Sequence, residues 1–274
     1  FNFKFNINIL TIIYLDTRMD NLAIFITCRN KSTRLKNKAL LKLYDEISYF
    51  DYILRRCQNI KTNCIKILST SYANENKILI DKSLDKDFFF FQGSEEDKLN
   101  RWLHTAIKYN VKFFITIDGD DPFFDPSIVD LAFNQYLNNN YDFIKCSNII
   151  PGLFTYGIKF ETLKKVCKIK DTSNTEMMWV YFEKMAGIKI KDLNSSINSK
   201  FLRQDIRLTL DYQEDHIFMN TLINKYNKDK FKITSLEILK ILEDNPDISL
   251  INKGRINDWK KNQKLKTIYK IKND

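Results

Sequence analysis

Leu22-Ala23-Ile24-Phe25-Ile26-Thr27-Cys28, followed at once by Arg29-Asn30-Lys31-Ser32-Thr33-Arg34-Leu35-Lys36-Asn37-Lys38, is the stretch on which the reading of this chain turns. The apolar run reads as a buried strand. The ten residues after it carry five cations, Arg29, Lys31, Arg34, Lys36 and Lys38. Cations that close repel one another unless something strongly anionic sits among them. A triphosphate is the simplest such partner. In an open α/β sheet, ligands bind beyond the carboxyl ends of the strands, where this loop would lie.

Outward from this stretch, apolar runs alternate with helical patterns. Strands are expected over residues 22–28, 64–70, 88–91, 112–118 and 141–146. Helices are expected over 47–57, 74–83, 94–109 and 127–137, with Ser94 as the N-cap of the third and Glu95, Glu96 and Asp97 in its first turn. That alternation predicts a mostly parallel sheet with helices on both faces. Beyond Pro151-Gly152 the pattern loosens. Strands are expected over 156–160, 188–193 and 207–210, helices over 161–167, 176–185, 212–226 and 235–242, and a solvated Lys-rich tail after Lys260. With no internal repeat and no Pro- or Ser-rich linker, residues 19–274 read as one domain. Its nucleotide half is 19–150, its sugar and dimer half 151–250, and its tail 251–274.

Composition bounds the function. The chain has 274 residues, 44% hydrophobic and 28% charged, which suits one sizeable globular core. The net charge of +10 does not argue for nucleic acid, because the excess Lys is scattered rather than set in a basic stripe with interleaved aromatics. The five cysteines show no CxxC spacing and read as reduced thiols of a cytoplasmic protein. Two histidines, His104 and His216, argue against a His-rich zinc site or a His-based triad. Residues 1–18 are apolar but interrupted by Asn2, Lys4, Asn6 and Asn8, which argues against a membrane span and a signal peptide. Met19 is the expected natural start, with residues 1–18 an extension outside the fold.

Three further stretches could carry chemistry. Asp118-Gly119-Asp120-Asp121-Pro122 crowds three carboxylates at a strand end, which a divalent cation would relieve; an ordinary Asp/Gly/Pro turn is the plainer reading. Arg207-Leu208-Thr209-Leu210-Asp211 delivers a carboxylate that could ligate a metal or simply cap the following helix. Gln92-Gly93-Ser94-Glu95-Glu96-Asp97-Lys98-Leu99-Asn100-Arg101 offers a glycine for close approach and free N–H groups at a helix start. Ser69 and Thr70, ending the second strand, are weak candidates for nucleobase contacts.

These four stretches, in this order, resemble the cytidylyltransferases that make CMP-activated sugar acids, including the CMP-Kdo and CMP-acylneuraminate synthetases. The spore-coat-polysaccharide SpsF-type proteins are the nearest branch. CRNKSTRLKNKAL is similar to that family's Arg-x-x-Ser-x-Arg-Leu-Pro-Gly-Lys signature, and QGSEEDKLNR to its Arg-Gly-Ser-Glu-Asp-Asp segment. DGDDPFFDP is similar to its Gly-Asp-x-Pro-x-x-x-Pro segment, and IRLTLDYQED to its Leu-Thr-Leu-Asp-x-x-x-Asp segment. Lys36-Asn37 stands for the usual Pro-Gly, Gln92 for Arg, and Lys31 and Asp121 for smaller or neutral residues.

The resemblance implies a Rossmann-like, GT-A-like, nucleotide-diphospho-sugar transferase fold in three α/β/α layers. It implies that Arg29, Ser32, Arg34 and Lys38 hold the CTP phosphates, and that Ser69, Gly93, Ser94 and Asp97 surround the nucleotide. Asp120 and Asp211 would ligate Mg2+. The implied partners are CTP, a sugar acid and a second copy of the chain, with neither nucleic acid nor membrane. Arg29, Arg34, Lys38, Asp120 and Asp211 are thus the expected catalytic set. Lys159, Glu176, Trp179 and Tyr181 lie where a sugar acid could touch, but a purely structural role is the stronger reading for all four, with Trp179 and Tyr181 fitting packing on an amphipathic helix. Two other readings compete: a metal-dependent GT-A glycosyltransferase, whose DxD motif Asp118-Gly119-Asp120 satisfies formally, and a non-catalytic nucleotide-binding relative.

Overall fold

The computed structural model describes residues 21–30 and 34–272. The expectations for residues 1–18 and for Ser32 fall outside the described residues.

The described residues open with strand β1 (Leu22–Thr27), then β2 (Lys42–Tyr44), β3 (Ile47–Ser48) and helix α1 (Tyr49–Arg56). Strand β4 (Ile65–Ser71), α2 (Lys77–Leu84), β5 (Phe89–Gly93), α3 (Lys98–Lys108), β6 (Phe113–Asp118) and α4 (Pro126–Asn139) follow. Next come β7 (Phe143–Lys145), β8 (Gly157–Lys159), α5 (Phe160–Ile169), α6 (Trp179–Glu183) and β9 (Ile190–Asp192). Four helices finish the chain: α7 (Gln213–Lys225), α8 (Ser235–Asp244), α9 (Pro246–Lys253) and α10 (Arg255–Lys266).

Seven strands form one sheet in the order β5-β4-β1-β6-β8-β7-β9. All pairs are parallel except those of β8, which runs antiparallel to both β6 and β7. Strand β1 therefore has β4 on one side and β6 on the other, so the connections leave it in opposite directions. That reversal opens a crevice at the carboxyl ends of β1 and β6, the usual ligand position in such sheets.

Alternation along the central strands divides the core in two. Leu22, Ile24 and Ile26 of β1, with Phe113, Ile115 and Ile117 of β6, face α1, α2, α4 and the α7–α9 group. Ala23, Phe25 and Phe114 face α3, α5 and α6. Phe25 and Phe114 stack at 4.1 Å, with Trp102 of α3 edge-on to Phe114. The result is the expected three-layer α/β/α arrangement.

Four local expectations are corrected. The helix expected from residue 47 begins at Tyr49, because Ser48 accepts the Asp51 amide as its N-cap and residues 42–48 form a hairpin. Ser94 does not cap α3. Asp97 does, accepting the Asn100 amide, so Glu95 and Glu96 sit in the preceding loop. Residues 207–210 make no strand; Leu208 N donates to Pro151 O and Leu210 N to Asp120 O, two loops rather than a ladder. The tail after Lys260 is no solvated end: α10 runs through it, Tyr269 packs on the second core, and residue 271 bridges to Lys170. None of the described helices is long and apolar enough to cross a membrane.

Candidate active site

The site begins where β1 and β6 end side by side, with Thr27 opposite Asp118. Gly119 N donates to Thr27 O at 2.8 Å. A Cβ at Gly119 would lie 2.5 Å from Cys28 Sγ, so only glycine lets the two strand ends approach this closely. Burial, then Asp120, push the Cys28 thiol up to about 12. Cys28 is thus a packing residue, not a nucleophile.

Beyond Cys28, Asn30 N donates to Asn76 Oδ1 at 2.7 Å. At Asn37 the backbone is left-handed, φ 52°, directly before a single helical turn, Lys38–Leu40. Asparagine tolerates this region best after glycine, so Asn37 takes the turn that the usual Gly would make. The turn aims Lys38 inward. Lys38 Nζ donates to Asp120 Oδ2 at 2.7 Å, to Asp211 Oδ1 at 2.9 Å and to Leu210 O at 2.8 Å. Arg34 Nη2 donates to the same Asp211 oxygen at 2.6 Å, and its guanidinium lies 5.4 Å from the Tyr212 ring.

Asp211 is held from behind. Asp215 Oδ2 accepts the amides of Asp211 and Tyr212 at 2.9 and 2.8 Å, while its other oxygen pairs with buried Arg207 and takes Asn252 Nδ2 at 3.0 Å. The acid that begins α7 is therefore Asp215, which leaves the Asp211 carboxylate free to face Lys38 and Arg34. This replaces the capping reading of Asp211.

Desolvation pushes the Asp211 carboxyl up, but Lys38 and then Arg34 outweigh it and hold the group below its ordinary range. Lys38 loses solvent too, yet Asp120 and Asp211 together raise it. Asp120 is raised by desolvation against Lys38, with Asp211 and Asp118 adding to the rise. Asp121 is raised well above its usual value, first by burial and then by Asp120 and Asp118. Oxygens of Asp118, Asp120 and Asp121 lie within 4.8 Å of one another. This is a set of hard oxygen donors whose mutual repulsion a divalent cation would relieve, which fits magnesium.

The opposite wall sets Arg29, Lys98 and Arg101 among the carboxylates of Glu95, Glu96 and Glu176. Arg29 Nη1 donates to Glu95 O at 3.1 Å, while the carboxylates of Glu95 and Glu176 stand off at 3.9 and 4.0 Å. Lys98 Nζ meets Asp118 at 2.8 Å. Arg101 is almost wholly buried, gives Nη1 to Ser94 O, and has no partner for Nε among the described residues. Burial, and then Arg29, pull its guanidinium down to about 10.

These walls enclose a cavity of about 690 Å³. Arg29, Arg34, Lys38, Asp120 and Asp211 all line it. The other nucleotide candidates stand behind the wall. Ser69 is fully buried, 3.2 Å from Thr105 Oγ1. Gly93 makes room for Arg101, whose Cγ a Cβ would meet at 2.9 Å. Ser94 Oγ accepts the Asp97 amide, and Asp97 caps α3 and pairs with Lys170. Of the four sugar-side residues, Glu176 and Trp179 reach the cavity. Lys159 instead pairs with Asp142, and Tyr181 donates to Lys270 O. Sequence reasoning missed Lys98 and Arg101, although a cation pair one turn apart after Gly93 was a readable signal. It also missed Trp259, Gln263 and Lys266 of α10, which no apolar stripe announced.

The chain is similar to known proteins in sequence and in fold. An uncharacterised protein of Methanocaldococcus jannaschii is 30% identical over 229 residues, 83% of this chain and 92% of its own length. The spore coat polysaccharide biosynthesis protein SpsF of Bacillus subtilis is 23% identical over 236 residues, 84% and 97% of the two chains. In fold, a cytidylyltransferase from Leptospira borgpetersenii superposes with a TM-score of 0.74 at 21% identity, covering 83% of this chain and 96% of its own. A CMP:2-keto-3-deoxy-manno-octonic acid synthetase in complex with CTP superposes at 0.57 and 11% identity, covering 75% and 99%. The family model for cytidylyltransferases spans residues 23–248, from β1 through the cationic stretch and both acidic stretches into α9, and the chain belongs to that family of CTP-dependent nucleotidyltransferases.

Proposed function

We propose that the chain transfers CMP from CTP to a sugar acid of the Kdo or nonulosonate kind, releasing pyrophosphate, for surface polysaccharide synthesis. The observation that carries this reading is Lys38 bridging Asp120 and Asp211 while Arg34 shares Asp211. Candidate phosphate-binding cations and candidate metal ligands thus line one cavity. The part played by SpsF in spore coat polysaccharide, and the acceptor named for the synthetase bound to CTP, support the choice of acceptor class.

In this reaction a sugar hydroxyl attacks the α-phosphorus in line as pyrophosphate leaves. The protein's task is positioning and charge neutralisation. Arg29 and Arg34 offer forked donors to phosphate oxygens, and Lys38 a compact charge. Asp120 and Asp211, which Lys38 bridges, would hold Mg2+ beside the phosphates. The ion, when bound, supplies Lewis-acid neutralisation of charge on the phosphates. Arg101 and Lys98 add positive charge to the facing wall, toward the same anion.

The test incubates the chain with CTP, Mg2+ and a panel of sugar acids and follows pyrophosphate. Release that depends on both CTP and one sugar acid is expected. A chain that releases no pyrophosphate, but cleaves a nucleotide-sugar donor instead, would be a glycosyltransferase and would end the reading.

A further inference from the structure

The family match ends at residue 248, yet the cavity does not. Helix α10 lies wholly beyond it and gives the cavity Trp259, Gln263 and Lys266. Their spacing of four and three residues sets them on one face of the helix. None of the residues of α10 is buried. The helix is moored by polar ties: Asn262 Nδ2 donates to Tyr212 OH at 2.7 Å, Arg255 to Glu214 Oε1 at 2.9 Å, and Lys266 to Glu176 Oε1 at 2.8 Å. The Arg207 guanidinium lies 5.9 Å from the Trp259 ring. A helix serving only to seal a cavity would present aliphatic side chains and gain from their burial. This one lines the cavity with an indole, an amide and an ammonium that pairs with Glu176. An aromatic face packs on the C–H face of a sugar ring, and an amide pairs with hydroxyls.

The groups assigned to the triphosphate, Arg29, Arg34 and Lys38, and those assigned to its metal, Asp120 and Asp211, lie inside the shared stretch. What the shared stretch does not supply is the wall that α10 builds. We infer that α10 is the acceptor wall, with Trp259, Gln263 and Lys266 contacting a polyhydroxylated acceptor and setting its selectivity. Glu176, held by Lys266 and 4.0 Å from Arg29, ties that wall to the phosphate loop. The inference rests on the cytidylyl-transfer reading and assigns the acceptor side of the same cavity.

The experiment uses the full chain, CTP and the sugar acid that the panel turns over. Trp259→Ala should raise the acceptor KM about tenfold or more, the scale for an aromatic anchor, with CTP affinity by calorimetry within about twofold. Gln263→Ala and Lys266→Met should raise the acceptor KM by smaller factors. These two carry the test if Trp259→Ala melts abnormally by circular dichroism. Unchanged acceptor KM in the folded variants, or CTP affinity falling in step with it, overturns the inference. A wild-type chain that binds CTP but uses no sugar acid also overturns it, while leaving the nucleotide assignment intact. A chain that does not bind CTP sinks the underlying reading instead.

Discussion

The floor of the cavity and its C-terminal wall are built on opposite principles. The floor is the joined ends of β1 and β6, backed by fully buried Phe25, Phe113 and Phe114 and closed by the Gly119–Cys28 contact. Its functional side chains inherit their positions from a core whose burial is worth roughly 2–3 kcal/mol for each large side chain. The wall made by α10 buries no residue and is held by part-exposed ion pairs and single hydrogen bonds. Such pairs are worth about 0–1 kcal/mol each. The chemistry that must be exact to a fraction of an ångström thus sits on the rigid element. The surface that must suit a particular acceptor sits on one that can change without unfolding the chain.

The largest effect tests how far the floor depends on what lies beneath it. Asp215→Ala leaves Arg207 buried without its counter-charge and unties the Asp211 backbone. It should cost about 3–5 kcal/mol in urea unfolding, the scale for breaking a buried pair. A loss below about 1 kcal/mol would mean that the pair does not anchor the loop.

Next come the carboxylates themselves. Asp120→Ala and Asp211→Ala should each lower turnover by about a hundredfold or more at saturating Mg2+, the scale of one key electrostatic contact. Near-normal rates in either variant would remove that residue from the metal assignment.

The third effect has the opposite sign for stability. Asp121 has a raised folded-state pKa, so its ionised form opposes folding. That penalty is fully present above the folded value and fades as pH falls toward the unfolded value near 4, about the ordinary carboxyl value. Asp121→Asn should therefore raise the melting temperature by about 2–4 °C at neutral pH, the shift that about 1 kcal/mol gives a chain of this size. The gain should shrink in acid. Asp211 behaves inversely: its pKa is depressed, so its pairing stabilises the fold above the unfolded value and is lost as pH falls through the folded one. A melting temperature unchanged by Asp121→Asn at neutral pH would show that the acidic trio is not strained.

The smallest effect belongs to the wall. Lys266→Ala should change stability by less than about 1 kcal/mol, because both partners of its pair with Glu176 are more than a third exposed. A large loss in thermal unfolding would make α10 a structural brace and erase the contrast.

Periodicity alone determined the layers. The unbroken apolar runs within residues 22–28 and 112–118, with helical spacing between, leave few options beyond a parallel sheet covered on both faces, since each apolar run must be buried on both sides. Residue chemistry marked the cationic stretch 29–38 and the acidic turn 118–121, because crowded like charges are costly without a counter-ion; the family resemblance singled out Arg29, Arg34, Lys38 and Asp120 within them and added Asp211. Only the tertiary structure decided the rest. Asp97 rather than Ser94 caps α3, Ser69 points into the core, and residues 207–210 bond to two loops, because each outcome depends on partners far away in sequence. Helix α10 was invisible for the same reason. A local pattern reveals an element that buries a stripe, and this one is fixed by Tyr212, Glu214 and Glu176 across a cavity that exists only once the chain has folded.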